Sequence, residues 1–236
     1  MLENRYGVKG TLSDKTRWVL TLALGMFVIL WRLVLPITVS EITTATVLTT
    51  AGLDLALTAA LIFINRNELK EAFLRKFALK DLLAVIVGYV AFFIFITAGR
   101  VLLGLTGMMI IESPAAWVAE QYSIVFPIGL FISVVIAAPI WEEIAFRMAG
   151  RNLIKNKFLF VLITTFLFVL VHSGTYLIPS VSGVGLNIPF VFRSGITYVF
   201  AGIGFAVIYL VAKDIRIAIG VHLLNNLIVT MVMLFG

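Results

Sequence analysis

Two adjacent glutamates and an arginine lie in the apolar stretch PIWEEIAFR, residues 139–147. Glu143 and Arg147 are four residues apart, the spacing at which side chains meet on one face of an α-helix. Glu142 is rotated from Glu143 by about 100°, so it is expected to face a different direction. A carboxylate with no ionic partner in a low-dielectric site can act as a general base. We therefore expect Glu142 to carry proton chemistry and the other two to pair, with a purely structural ion cluster as the alternative.

The two histidines of the chain lie in the same kind of apolar setting as the glutamates. His172 closes the run FLFVLVHSG, one helical turn after Phe168, which we expect to shield the imidazole from lipid. His222 and Asn226 are four residues apart and share a helix face. Asn225 is turned away and is typical of a hydrogen bond between packed helices. Since buried histidines and phenylalanines are common in helix cores, a structural interpretation of these positions also stays open.

The composition places these polar residues in a membrane protein. Of the 236 residues, 61% are hydrophobic and 13% are charged, and the mean hydropathy is +1.11. An ordinary soluble domain is nearer half apolar and a quarter charged. The absence of cysteine excludes disulfides, thiolate catalysis and cysteine-ligated metals. The net charge of +6 lies in short clusters between apolar segments, a pattern typical of membrane orientation rather than nucleic-acid binding.

Seven apolar segments approach the roughly 20 residues that a transmembrane helix needs. They cover residues 18–39, 43–64, 82–105, 124–146, 158–171, 189–212 and 215–235. The predicted fold is therefore an all-α, polytopic membrane helix bundle that forms a single membrane-embedded domain over residues 1–236. The fifth segment is short and is expected to extend past His172 or to tilt less than its neighbours. The stretch 107–121 leaves room for an additional short helix.

The basic residues predict the orientation of the bundle. Clusters of Lys and Arg precede the first segment and follow the second, fourth and sixth, so all four fall on one side. The positive-inside rule then places the N-terminus in the cytoplasm and the C-terminus outside. Residues 67–81 put Leu69, Phe73, Leu74 and Phe77 on one helical face among Lys and Arg, which predicts an amphipathic helix on the cytoplasmic membrane surface. Such a helix is either a plain surface element or a docking site for a substrate.

Three motifs on successive predicted helices resemble the CAAX prenyl protease and bacteriocin-processing family, the glutamate-dependent intramembrane endopeptidases. The motifs are EEIAFR at 142–147, FVLVH at 168–172 and HLLNN at 222–226, with Pro139 before the acids. Each motif alone is weak, but the three in order on separate helices form a fairly specific pattern. The resemblance covers about residues 124–236, the expected catalytic core, whereas residues 1–123 are matched only by being hydrophobic.

The resemblance implies a role for each matched residue. The implied catalytic residues are Glu142, His172, His222 and Asn226. The first two would activate a water, and the last two would donate hydrogen bonds to the oxyanion that forms on the scissile carbonyl. The implied supporting residues are Glu143, Arg147 and Phe168. The family also implies a membrane-associated peptide or protein tail as the substrate, in peptide or bacteriocin processing or in self-immunity, and it implies no cofactor.

Other functions stay open at this stage. Two histidines and a glutamate are a plausible zinc set, although they lie on different helices and no His-Glu-x-x-His motif occurs. A non-enzymatic immunity or scaffold protein could use the polar cluster to bind a peptide. A proton-coupled transporter could use Glu142 and the histidines as a relay, although no internal repeat is visible. The expected partners are the lipid bilayer and the substrate, not nucleic acid, and the compact length favours a bacterial plasma membrane.

Overall fold

The structure, a computed structural model, describes residues 13–38, 43–107, 113–177 and 188–235, without the side chains at positions 32–38, 114 and 190. These residues form helices joined by short connections and no β-strand, which confirms the predicted all-α class. The helices are α1 (Asp14–Thr38), α2 (Thr44–Ile64), α3 (Arg66–Leu74), α4 (Leu79–Leu105), α5 (Pro114–Val125), α6 (Pro127–Leu153), α7 (Lys157–Ser173), α8 (Ile188–Ala212) and α9 (Ile215–Phe235).

Within the residues that the structure describes, six stretches are long and apolar enough to cross a membrane. They lie in α2, α4, α6, α8, α9 and the segment Lys157–Leu177, in which a short 3₁₀ turn extends α7 past His172. The protein is therefore a multi-pass helical membrane protein. The helix α1 covers residues 18–38 of the first predicted segment, whose residue 39 lies outside the described residues. The total of seven spans and the orientation stay predictions. The helix α5 occupies part of the stretch where the sequence left room for an additional helix.

Short polar side chains mark where several helices begin. The hydroxyl of Thr43 accepts a hydrogen bond from the backbone N–H of Thr46 at 3.2 Å, at the start of α2. The side chain of Asn156 accepts one from the N–H of Leu159 at 3.0 Å, at the start of α7. Such caps satisfy backbone donors that have no partner within the helix. They explain why the observed starts lie close to those that the hydropathy pattern predicts.

The fourth span differs from the prediction in its end and in its regularity. The sequence predicted an end at residue 146, but α6 continues to Leu153. It contains two π-helical stretches, Phe131–Ala137 and Glu143–Ala149, separated by an α-helical turn. The apolar window of α6 is 67% buried inside the protein, against at most 44% in the other five spans. The charged residues do not end this helix because they face protein rather than lipid.

The amphipathic segment is shorter than predicted. A single helix was expected over residues 67–81, but α3 ends at Leu74 and α4 begins at Leu79. The side chain of Asp81 accepts a hydrogen bond from the N–H of Ala78 at 3.0 Å and so starts a new helix there. Of the expected apolar face, only Leu69 is buried, whereas Phe73, Leu74 and Phe77 are exposed.

A charge cluster joins the connection between α3 and α4 to the turn between α8 and α9. Arg216 donates to Asp214 at 2.9 Å and to the backbone oxygen of Arg75 at 2.9 Å. Arg75 also forms ion pairs with Asp214 and with Asp81. Burial opposes the ionisation of Asp214, but its hydrogen bonds from Arg216 and the nearby charges outweigh that effect and lower its pKa. The cluster holds two connections together outside the spans.

The helix α6 lies at the centre of the bundle. It packs against α1, α2 and α9, while α8 packs against α7 and α4. The approach of α1 to α6 is close at Gly25, where an added Cβ would lie 2.6 Å from the Cβ of Ala145. Only glycine permits the two helices to meet at this distance. The acids of α6 therefore lie among the helices α1, α2 and α9.

Candidate active site

Three charged side chains of α6 are buried together. Glu142 is 1% exposed, and Glu143 and Arg147 are 0% exposed. The Nε atom of Arg147 lies 3.7 Å from Oε2 of Glu143, so the ion pair that their spacing predicted is present. A buried ion pair is tolerated only where the two charges compensate each other closely. Arg147 therefore balances the charge of Glu143, the neighbour of Glu142 in the chain.

Both glutamates approach the same imidazole. Oε1 of Glu143 lies 3.0 Å from Nδ1 of His222, and Oε2 of Glu142 lies 4.0 Å from Nε2 of the same ring. The two acids were predicted to face different directions, and one imidazole accommodates both. They do point in different directions along α6, but the ring of His222 lies between them and presents one nitrogen to each. A carboxylate only accepts, so when Glu143 is ionised the proton of the neutral ring is on Nδ1 and its Nε2 faces Glu142.

Aromatic rings surround the guanidinium of Arg147. Its Cζ lies 5.1 Å from the ring centre of Phe168, 5.8 Å from that of Phe205 and 5.9 Å from that of Phe146. Within the described part of the chain, none of its nitrogens has a hydrogen-bond partner. Cation–π attraction and the charge of Glu143 are thus the favourable interactions that the structure gives this cation. Arg147 acts on the site as a positive charge rather than as a hydrogen-bond donor.

His172 reaches the site through Phe168. Its Nδ1 lies 2.8 Å from the backbone oxygen of Phe168, so it donates to that carbonyl and leaves Nε2 as the unprotonated nitrogen of the neutral ring. The ring of Phe168 lies 4.4 Å from that of His172 and 5.9 Å from that of His222. Phe168 therefore lies next to both histidines and not merely on the lipid side of one of them.

The amide of Asn226 is oriented by two neighbours. Its Nδ2 donates to the backbone oxygen of Val134 at 2.9 Å, and its Oδ1 accepts a hydrogen bond from Nδ2 of Asn225 at 3.1 Å. Val134 belongs to the first π-helical stretch of α6, so an irregular turn supplies the acceptor. Asn225 was expected only to bond a packed helix, but its amide instead fixes the orientation of Asn226.

Side chains of α2 also form hydrogen bonds with the first π-helical stretch of α6. The hydroxyl of Ser133 donates to the carboxylate of Asp54, which is 2% exposed. The hydroxyl of Thr58 lies 3.4 Å from the backbone oxygen of Ala137. Hydrogen bonds to a π-helical stretch stabilise a backbone that would otherwise relax to an α-helix. Asp54 therefore helps to position Val134, the acceptor for Asn226.

Two aromatic residues of α8 complete the site and were missed at the sequence level. The ring of Tyr198 stacks on His172 at 4.3 Å, and that of Phe205 stacks on His222 at 4.0 Å. The two are seven residues apart, close to two helical turns, so they share a face. That spacing was visible in the sequence. Among 19 Phe and 6 Tyr residues, however, it did not distinguish these two from ordinary packing residues.

The structure thus brings the candidate residues together to different degrees. Direct contacts join Glu142, Glu143, Arg147, Phe168 and His222. His172 packs against the ring of Phe168, and Asn226 lies one turn beyond His222 and donates to a backbone carbonyl of α6. In the described residues, no three His, Asp or Glu side chains form a group that could hold a metal ion.

A comparison with protein families matches the part of the chain that carries this site. Residues 124–228 match the model of the type II CAAX prenyl endopeptidase Rce1-like family. All seven residues that the motifs singled out lie within the match. A search of curated proteins and a search of solved structures each found no match. The family is one of proteases, in agreement with the three motifs. Over residues 124–228, which carry the buried acid–histidine site, the chain is therefore similar to the Rce1-like family of type II CAAX prenyl endopeptidases.

Proposed function

We propose that this protein is an intramembrane endopeptidase that hydrolyses a peptide bond in a membrane-associated peptide or protein tail, with glutamate as the general base. The family match supports the protease activity. The observation that carries the mechanism is the convergence of Glu142 and Glu143 on opposite nitrogens of the buried His222. A buried acid next to an oriented imidazole is an arrangement suited to moving protons.

In the proposed first step, a water loses a proton to Glu142 while its oxygen attacks the scissile carbonyl carbon. His172 accepts a hydrogen bond from this water at Nε2 and so helps to orient it. The product of this step is a tetrahedral intermediate with a negatively charged oxygen. Glu142 then passes its proton to the leaving nitrogen as the C–N bond breaks. No step needs a metal or an organic cofactor.

His222 and Asn226 are proposed to stabilise the oxyanion. Because Nδ1 of His222 donates to Glu143, the ring can donate from Nε2 only in its protonated form. The carboxylate of Glu143 can accept from Nδ1 in that form as in the neutral form, so it holds the ring in the same orientation in both. The amide of Asn226 has two N–H bonds, and Val134 engages one of them. The other N–H is the second proposed donor to the oxyanion.

Glu143 and Arg147 are proposed to support this chemistry rather than to take part in it. Arg147 balances the charge of Glu143, and Glu143 fixes the tautomer and the orientation of His222. This division agrees with the roles that the family resemblance implies. Peptide or bacteriocin processing and self-immunity are the proposed biological settings, in a bacterial plasma membrane. Comparing membrane peptides of cells that carry the wild type or the Glu142→Gln variant would identify the substrate.

The decisive experiment measures cleavage by the purified wild type and by Glu142→Gln and His172→Ala. Removing a general base lowers the rate by about 10²–10⁴-fold. The matched control is Glu120→Gln, which removes an exposed carboxylate from α5, outside the site. We expect full activity from the control and a loss of at least about 10²-fold from Glu142→Gln. Retention of a tenth or more of the activity by a folded Glu142→Gln protein would exclude the mechanism. Retained cell protection by that variant would instead favour an immunity protein.

A further inference from the structure

A cleft of about 550 Å³ opens beside the amphipathic helix α3. Helices α2, α3, α6 and α9 line it. Its volume is within the range of roughly 300–1,000 Å³ that small-molecule sites occupy. Seven of its nine lining residues are aliphatic or aromatic, and the other two are Arg66 and Lys70. The proposed reaction uses none of these residues.

The cleft reaches from an exposed rim to a buried floor. At its floor, Leu69 is 4% exposed, Ile144 is 1% exposed and Ile219 is 6% exposed. At its rim, Ile62 is 42% exposed and Phe73 is 58% exposed. A space of this shape, with apolar walls from four different helices, can enclose a hydrocarbon chain. It offers no hydrogen-bond partner to a polar ligand at its floor.

The two cations of the cleft have no acidic partner in the described parts of the chain. No carboxylate among these residues forms an ion pair with Arg66 or Lys70, whereas Arg17 pairs with Asp14 and Glu68. Arg66 donates from Nη1 to the backbone oxygen of Phe63 at 3.3 Å, which leaves further guanidinium donors for a ligand. Two uncompensated cations beside an apolar cleft are complementary to a ligand with an anionic head and a hydrocarbon tail.

We propose that this cleft binds one acyl chain of an anionic phospholipid, whose phosphate contacts Arg66 and Lys70. The positive-inside pattern places α3 at the cytoplasmic surface, where anionic lipids attract basic residues. The chain lies along Leu69 and reaches the floor at Ile144 and Ile219. A free phosphate lacks the tail that the walls require, and a zwitterionic lipid lacks the net charge that the two cations select.

Occupation of this cleft stabilises the packing of the helices that carry the candidate site. Ile144 follows Glu143 on α6, and Leu223, which also lines the cleft, follows His222 on α9. The bound chain therefore contacts both helices at residues next to those of the candidate site. The proposal concerns lipid binding and holds whether or not the peptide-bond chemistry proposed above is correct.

The test titrates purified full-length protein in detergent with phosphatidylglycerol and counts bound lipids by native mass spectrometry. Phosphatidylcholine with the same acyl chains and glycerol 3-phosphate are the comparison ligands. We expect one tightly retained phosphatidylglycerol, with the other two ligands binding at least about tenfold more weakly. Each basic residue near an anionic lipid contributes a factor of roughly five. The double variant Arg66→Gln/Lys70→Gln should therefore bind roughly 25-fold more weakly.

The matched control is Lys76→Gln, which removes an exposed positive charge from the same region outside the cleft. It should leave the titration unchanged. A second variant, Ile62→Trp, narrows the rim without a change of charge and should also weaken binding of phosphatidylglycerol. Equal binding of the two lipids, or an equal loss with Lys76→Gln and with the double variant, would overturn the proposal. So would unaltered binding by Ile62→Trp.

Discussion

Oε1 of Glu143 lies 3.0 Å from Nδ1 of His222, so the second acid of the pair, as well as the first, adjoins a histidine of the site. The same carboxylate pairs with Arg147 through its other oxygen. Glu143 thus connects a buried cation to a ring whose far nitrogen faces Glu142. Its removal would affect both the charge balance of the bundle and the chemistry at His222, and the two effects are separable.

Replacement of Glu143 by Gln is expected to lower kcat by about 10²–10³-fold, with a smaller effect on KM, because a protonated His222 loses its counter-charge. It also leaves Arg147 as an unpaired buried charge, which costs about 3–5 kcal/mol of stability. The double variant Glu143→Gln/Arg147→Met removes both charges and is the control. Thermal unfolding should show recovered stability in the double variant, and cleavage assays should show no recovered activity. Recovery of activity would assign Glu143 a purely structural role.

The two asparagines of α9 are expected to differ in their effect. Asn226→Ala removes a proposed oxyanion donor and should lower the single-turnover rate by about 10²–10³-fold. Asn225→Ala removes only the group that bonds Oδ1 of Asn226, so its effect should be no more than about tenfold. Substrate binding, measured separately with an inactive Glu142→Gln background, should change little in either case. Equal effects of the two substitutions would contradict the assignment.

The cluster around Asp214 predicts a dependence of stability on acid. Burial favours a higher pKa for Asp214, but hydrogen bonds from Arg216 outweigh burial and lower the pKa below its ordinary value of 3.8. Its contribution is therefore complete above pH 3.8 and is lost as the pH falls through the lower folded value. Asp214→Asn should be less stable than the wild type near pH 6 in thermal unfolding. The difference should shrink below pH 3.8, whereas Glu120→Gln should match the wild type throughout. A constant difference across this range would contradict the prediction.

Chelation tests the zinc alternative. The proposed chemistry uses only side chains and water, so exhaustive dialysis against EDTA and 1,10-phenanthroline should leave activity within about twofold of the untreated enzyme. A known zinc endopeptidase treated in parallel is the control, since removal of its metal abolishes activity. Loss of activity that added Zn²⁺ restores would replace the glutamate–histidine mechanism by a metal-dependent one. That result would leave the lipid site at α3 untouched.

Local patterns were sufficient for the class of fold and for the pairing of Glu143 with Arg147. The hydropathy of residues 215–235 predicted α9 with both of its ends, because the free energy of placing apolar residues in lipid depends on composition and length alone. The spacing of Glu143 and Arg147 predicted their ion pair for a similar reason, since two side chains one turn apart meet in any helix.

Periodicity did not reveal the shape of α6. A pattern that assumes 3.6 residues per turn has no means of locating π-helical stretches, which depend on support from neighbours such as Asp54. The predicted fourth span also ended at residue 146, because a charged side chain is unfavourable in a helix that only lipid surrounds. Glu143 of the same helix and aromatic rings from α7 and α8 reverse that balance by stabilising Arg147.

The sequence by itself determined that this chain crosses a membrane as helices and which polar residues lie within them. Only the tertiary structure decided that His222 lies between the two glutamates, that Phe168 lies next to both histidines, and that Tyr198 and Phe205 stack on the two rings. Contacts within a helix follow from a fixed repeat along the chain. Contacts between helices depend on crossing angles, close approaches and rotations that are set by the packing of the whole bundle.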